Sequence, residues 1–234
     1  MTKGKLYGVG VGPGDPGLMT VRACELIEGA DVIAYPVKIK GEKSTALGIV
    51  SQRVDVSSKR IMELEFRMDP SEDVRKNCRS QAAMEMAECL DSGKDIVMIT
   101  LGDVAVYSTY MRIDRMMRDM GYETEVVPGI PSFCSGAAKA RMPLMIGEEG
   151  LAVVSYAKDN PDVENAFRGF SNIVVMKAFN SMHEIADLME RYGFPLENSK
   201  VISNVGMEGE YIGPIDVDRK YGYFTTVLIK KGGF

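Results

Sequence analysis

The sequence predicts an α/β protein of two α/β domains, the first on a mostly parallel sheet and the second on a mixed sheet. Three observations lead there. Over the first 130 residues, short apolar runs alternate with amphipathic stretches of helical period, the pattern of parallel strands joined by crossover helices. After Pro128 the strand-like runs crowd closer together, so some must pair antiparallel. The 234 residues also suit two domains of about 110 residues each.

Residues 5–11 read as a first strand running into a glycine-rich turn, 18–28 as a helix and 31–35 as a strand. A helix over 44–52 and a strand over 60–64 follow. Asp69 as a cap, Pro70 at the first helical position and Glu72 three residues after the cap announce a helix to about Asp91, stopped by Gly93. The run Ile96-Val97-Met98-Ile99 marks 95–100 as a strand buried on both faces. A helix over 107–120 ends at Gly121, and 123–127 is the next strand. Beyond it, helices are predicted over 132–139 and 182–192, and strands over 151–156, 172–176, 200–204 and 223–230. The change of pattern near 122–130 sets the boundary, giving domains of 1–125 and 126–234.

Composition narrows the function. A net charge of −5 disfavours a broad nucleic-acid-binding face. No run reaches the ~18 apolar residues of a membrane span. Residues 1–14 lack the apolar core and cleavage site of a signal peptide. Cys24, Cys78, Cys89 and Cys134 are scattered without a CxxC pair, which suits reduced thiols in the cytoplasm. His183 is the single histidine, so a histidine-rich metal site is excluded, and its neighbours read as an ordinary amphipathic helix. The 17 methionines suit core filling, or a plastic pocket for a large flat ligand.

In a parallel sheet, ligands bind beyond the carboxyl ends of the strands. Three strand-end loops stand out there. The first is Gly8-Val9-Gly10-Val11-Gly12-Pro13-Gly14-Asp15-Pro16-Gly17. Its glycines permit close backbone approach. Pro13 and Pro16 remove N–H donors that a pyrophosphate would need, and no acidic residue ends the second strand, so a dinucleotide fingerprint is a poor fit. The second loop runs from Thr100 to Thr109 and contains Gly102-Asp103, where Asp103 also suits a helix N-cap. The third is Val127-Pro128-Gly129-Ile130-Pro131-Ser132, which alone reads as a hinge.

Together and in this order the three loops resemble the tetrapyrrole methylase family, and the resemblance covers nearly the whole chain. The family's opening Gly-x-Gly-Pro-Gly-Asp-Pro-x-Leu-Leu-Thr is matched by Val9 to Thr20, and its Ala-Asp-Val-x-x-Tyr by Ala30 to Tyr35. Its Gly-Asp-Pro-x-x-Tyr-Ser is matched by Gly102 to Ser108, and its Val-Pro-Gly-x-Ser-Ser by Val127 to Ser132. The resemblance implies a homodimer of two α/β domains, with S-adenosylmethionine folded into the cleft between them. By position it implies cofactor contacts from Pro13, Leu101, Gly102, Asp103, Val106, Ser108, Thr109, Pro131 and Ser132. In the second domain it implies Met176, Lys177, Ala178, Val205, Gly206 and Thr226, with Thr225 beside it.

Two departures matter. Val104 replaces the usual proline after Gly-Asp. Pro36 stands where sirohaem-type uroporphyrinogen methyltransferases carry an aspartate taken as the base. The Tyr35-Pro36 ending is similar to the branch that methylates precorrin-2 at carbon 20, as are Tyr107-Ser108-Thr109-Tyr110 and Tyr223-Phe224-Thr225-Thr226. The expected activity is therefore S-adenosylmethionine-dependent C-methylation of precorrin-2 or cobalt-precorrin-2. Asp103 and Tyr107 are the candidates for a chemical role, and Tyr35, Lys38 and Arg112 for substrate binding, with Lys40, Arg115, Arg118, Lys139 and Arg141 as further cations. No metal ligands of the protein's own, no nucleic acid and no membrane partner are expected. The alternatives are another tetrapyrrole methyltransferase such as a uroporphyrinogen-III enzyme, a branch that methylates a protein side chain, an NAD-dependent oxidoreductase, and a ligand-binding module without turnover.

Overall fold

The computed structural model describes residues 2–67, 69 and 71–233. The chain divides into two compact units, Met1–Pro131 and Ser132–Phe234, a few residues beyond the 125/126 boundary read from the sequence.

The first unit carries β1 (Leu6–Gly10), β2 (Val32–Val37), β3 (Arg60–Glu65), β4 (Ile96–Thr100) and β5 (Thr124–Val127), joined through α1 (Val21–Gly29), α2 (Thr45–Val50), α3 (Glu72–Asp91) and α4 (Tyr110–Asp119). The strand order is β3-β2-β4-β1-β5, and every pairing is parallel. Helices cover both faces. Ile96 and Met98 of β4 join one core with α3 and α4, while Val97 and Ile99 join the other with α1 and α2. That alternation explains why β4 is apolar without interruption. Each such side chain, fully buried, contributes about 2 kcal/mol relative to exposure.

The connections place the ligand end. From β1 the chain moves to β2 on one side; from β4 it moves past β1 to β5 on the other. The carboxyl ends of the neighbours β1 and β4 are thus the switch point, where open α/β sheets hold ligands.

The second unit is mixed, as expected. It holds α5 (Ser132–Ala140), β6 (Leu151–Ser155), α6 (Pro161–Gly169), β7 (Asn172–Met176), α7 (Met182–Tyr192), β8 (Ser199–Ser203), β9 (Tyr211–Gly213) and β10 (Thr225–Lys230), in sheet order β6-β7-β10-β8-β9. Only β6 and β7 pair parallel. α6 and α7 cover one face. α5 lies against the other, so closely that a Cβ on Gly136 would stand 2.7 Å from Ile202.

Several expectations are corrected. The first helix starts at Val21, capped by Thr20, because Pro16–Leu18 is spent on a single 3₁₀ turn capped by Asp15. α3 begins at Glu72 after Ser71; the Asp69 carboxylate accepts the Ser71 N–H at 2.8 Å and so makes a turn ahead of the helix. The expected role of Pro70 lies outside the described residues. α4 starts at Tyr110, since 101–109 form the loop. α6 and β9 had not been predicted.

Candidate functional site

In the first unit the three loops are fastened to one another by main chain. Beyond β1 and β4, Gly12 and Gly102 form a reciprocal antiparallel bridge, with N···O distances of 3.2 and 2.8 Å, and the Val11 N–H donates to Thr100 O at 3.0 Å. Both glycines lie in the left-handed region, at φ +79° and +71°, which glycine adopts without penalty. Gly129, at the end of the β5 loop, packs into the same spot: a Cβ on Gly10 would stand 2.6 Å from both Gly102 O and Gly129 N. Three backbones meet where no side chain fits. Pro13 is buried, and Leu101, Val106 and Pro131 of these loops are half-buried, as is Ser132 at the start of the second unit.

Asp103 completes the fastening. It is 9% exposed. One carboxylate oxygen accepts the Ala105 N–H and the other the Gly129 N–H, both at 2.8 Å. It caps no helix, because α4 starts seven residues later. With both oxygens engaged by backbone, its visible work is to tie the β4 loop to the β5 loop. Ser108 does cap α4: its hydroxyl accepts the Tyr110 N–H at 3.1 Å and meets the Thr100 hydroxyl at 3.2 Å. Thr109 occupies the cap position without a side-chain bond. Tyr107 is half-exposed and held at φ +50°, a conformation that costs a non-glycine residue about 1–2 kcal/mol.

The substrate candidates disperse. Tyr35 is buried, and its hydroxyl donates to Glu63 at 3.1 Å across the Tyr35–Glu63 register of β2 and β3. Burial, then that bond, raises its pKa. The other Glu63 oxygen accepts the Gly41 N–H at 2.6 Å. Glu63 was missed in sequence; its place opposite Tyr35 in parallel register was the available signal. Pro36 sits within β2 at no cost to the ladder, because its nitrogen faces the β4 side and β4 pairing ends at Ala34. Lys38 is exposed in the turn that follows, and Lys40 pairs with Glu85 at 3.3 Å. Arg112 approaches Glu72 at 3.8 Å, Arg115 is exposed and Arg118 pairs with the buried Asp114 at 3.0 Å. Lys139 pairs with Glu210 at 2.6 Å.

The second unit gathers its candidates by antiparallel register. β10 runs against both β7 and β8, so its first residues lie beside the ends of those strands. Thr226 opposes Met176 on one side and Ile202 on the other, and the Ala178 N–H donates to Thr225 O at 3.0 Å. The Thr225 hydroxyl donates to Ser203 at 2.9 Å. Lys177 and Asn204, the residues that leave β7 and β8, both have positive φ, +57° and +51°. Val205 is buried, and the Gly206 N–H is taken by Glu210 at 2.6 Å, so it is not a free donor for a ligand. Exposed His183 lies on α7, apart from these loops in the sequence.

Among the described residues, no group of three or more His, Cys, Asp or Glu side chains could hold a metal ion, and no helix is long and apolar enough to cross a membrane.

Comparison with known proteins adds to this geometry. A model of the tetrapyrrole (corrin/porphyrin) methylases matches residues 5–218. The cobalt-precorrin-2 C(20)-methyltransferase of Salmonella typhimurium is 30% identical, over 97% of this chain and 97% of the relative. The probable cobalt-precorrin-2 C(20)-methyltransferase of Methanocaldococcus jannaschii is 32% identical, over 97% and 96%. Among solved structures, the uroporphyrin-III C-methyl transferase of Thermus thermophilus complexed with S-adenyl homocysteine superposes with a TM-score of 0.72 at 18% identity, covering 97% of this chain and 98% of that one.

Proposed function

The chain belongs to the tetrapyrrole methylase family, and from that premise we propose that it methylates precorrin-2 or cobalt-precorrin-2 at carbon 20, in corrin formation, with S-adenosylmethionine as donor. The observation that carries the donor reading is the meeting of Gly10, Gly102 and Gly129 beside the Gly12–Gly102 bridge. That packing fixes the course of the loop backbones, and Gly102, whose Cβ direction meets nothing nearer than Ile130 O at 4.0 Å, leaves main chain there that a flat, polar ligand can approach closely. The acceptor reading rests on the likeness along almost the full chain to the two carbon-20 enzymes.

The donor supplies a methyl group on a cationic sulfur. The proposed contacts in the first unit are Pro13, Leu101, Gly102, Asp103, Val106, Ser108, Thr109 and Pro131, with Ser132 at the start of the second. The others in the second are Met176, Lys177, Ala178, Val205, Gly206 and Thr226. A meso carbon of a reduced tetrapyrrole is electron-rich, so alignment is the protein's main task, and orientation can supply about 7–11 kcal/mol. Asp103 serves as a positioning residue in this reading, because backbone N–H groups occupy both its oxygens. Tyr35, Lys38 and Arg112 are the proposed substrate contacts. The working form is proposed to be a cytoplasmic homodimer; the four scattered cysteines, without a CxxC pair, suit a reducing compartment.

The test is incubation with methyl-labelled donor and either precorrin-2 or its cobalt form, read by carbon NMR. Label at carbon 20 is expected. Label at another ring carbon, or on uroporphyrinogen III in place of precorrin-2, would overturn the acceptor reading.

A further inference from the structure

Glu72 opens α3 and is ringed by arginines. Arg75 donates to it at 2.7 Å and Arg79 at 2.5 Å, and Arg112 of α4 stands 3.8 Å away. Glu72, Arg75 and Arg79 recur at helical spacing and share one face of α3. Three guanidinium groups thus surround one carboxylate. Their layering is unequal: the Arg79 side chain is 12% exposed, whereas Glu72 is 57% and Arg112 66% exposed. The anion is the outer, removable member, and part of the positive charge lies beneath it.

The cluster also sits at an informative end of the unit. α3 and α4 follow β3 and β4, so their first turns lie toward the carboxyl ends of the parallel strands. The loops at 12–14, 101–109 and 128–131 leave from that same edge. A protein of net charge −5 that takes a polycarboxylate needs local cations there. Arginine is suited to this, since its planar fork binds a carboxylate through two parallel hydrogen bonds.

We propose that Arg75, Arg79 and Arg112 form a binding site for a peripheral carboxylate of the tetrapyrrole, and that Glu72 occupies it as a surrogate until the substrate displaces it. The proposal rests on the tetrapyrrole reading above. Hydrogen bonds from Arg75 and then Arg79 hold the Glu72 carboxyl down at about 2. At neutral pH, therefore, a competing anion frees the arginines and protonation does not.

The experiment measures steady-state methylation of precorrin-2 by the full chain, with the Kd for S-adenosylhomocysteine taken in parallel. Arg112→Gln and Arg79→Gln are each expected to raise the precorrin-2 KM about tenfold and to leave the S-adenosylhomocysteine Kd within about twofold. Glu72→Gln is expected to lower that KM about threefold, because the resident competitor is gone. Should Arg79→Gln fail to fold, exposed Arg112 carries the test. Unchanged KM in Arg112→Gln, with the wild type active, overturns this site alone. A rise in KM for Glu72→Gln like that of the arginine variants makes the cluster a structural brace and also overturns it. No transfer to any tetrapyrrole by the wild type overturns the substrate reading, and the site with it.

Discussion

The two units gather the residues proposed to meet the donor by opposite means. In the first, a parallel sheet delivers the β1, β4 and β5 loops to one edge, and glycine lets their backbones touch. In the second, β10 runs against β7 and β8, and register alone sets Thr226 beside Met176 and Ile202. Just beyond β1 and β4 the positive-φ positions are the glycines Gly12 and Gly102, whereas the residues that leave β7 and β8 at positive φ are Lys177 and Asn204, of which lysine is the less suited to that conformation. Close approach of main chain demands the absence of a side chain, whereas a strand end that must present one accepts strain instead.

Gly10→Ala should break the first arrangement most severely. Its Cβ would lie 2.6 Å from Gly102 O and Gly129 N, and neither backbone can yield cheaply. A loss of about 3 kcal/mol in stability is expected, with S-adenosylhomocysteine binding abolished in calorimetry. Wild-type affinity in this variant would mean the three loops are not a ligand wall.

Asp103→Ala comes next. It strips acceptors from the Ala105 and Gly129 N–H groups and should cost about 2–3 kcal/mol in denaturant unfolding. Asp103→Asn keeps one acceptor and should recover part of the stability and of the methylation rate. Its pH–rate profile should keep the wild-type shape, because a positioning group does not exchange the reaction's proton. Loss of a profile limb in Asp103→Asn would make Asp103 a base after all.

The smallest effect sharpens the contrast by its sign. Lys177→Gly relieves a left-handed non-glycine residue and should stabilise the chain by up to about 1 kcal/mol, while Gly12→Ala, at a similar φ, should destabilise it by about as much. Thermal melts of the two variants give the comparison. Shifts in the same direction would show that backbone strain is not what separates the units.

The parallel unit was the more legible in sequence because its elements are long, periodic and punctuated by glycine and proline. The uninterrupted run in β4 and the glycine-rich stretch after β1 read directly as a buried strand and a special turn. In the second unit, β9 has only three residues, too few to show a period, and α6 was missed although Asn160 and Pro161 mark its start. The three loops were identifiable through their glycines and prolines, residues chosen for backbone conformation. The work of Asp103 was not, since its partner Gly129 lies 26 residues away and only the fold brings them together. The arginine ring around Glu72 joins two helices in the same way; of its arginines only Arg112 of α4 stood out in sequence, and Glu72 only as part of a helix start.

The glycine wall has a consequence for inheritance. A surface made of main chain presents almost nothing for point mutation to alter, apart from the few glycines that permit it. If these loops bind the donor as proposed, recognition built this way is expected to pass intact through sequence drift. By contrast, the ends of β2 and β3 meet through side chains, Tyr35 with Glu63, which a point mutation can alter. A new acceptor is best sought by redesigning that corner, with residues 8–17, 100–109 and 126–132 left as they stand.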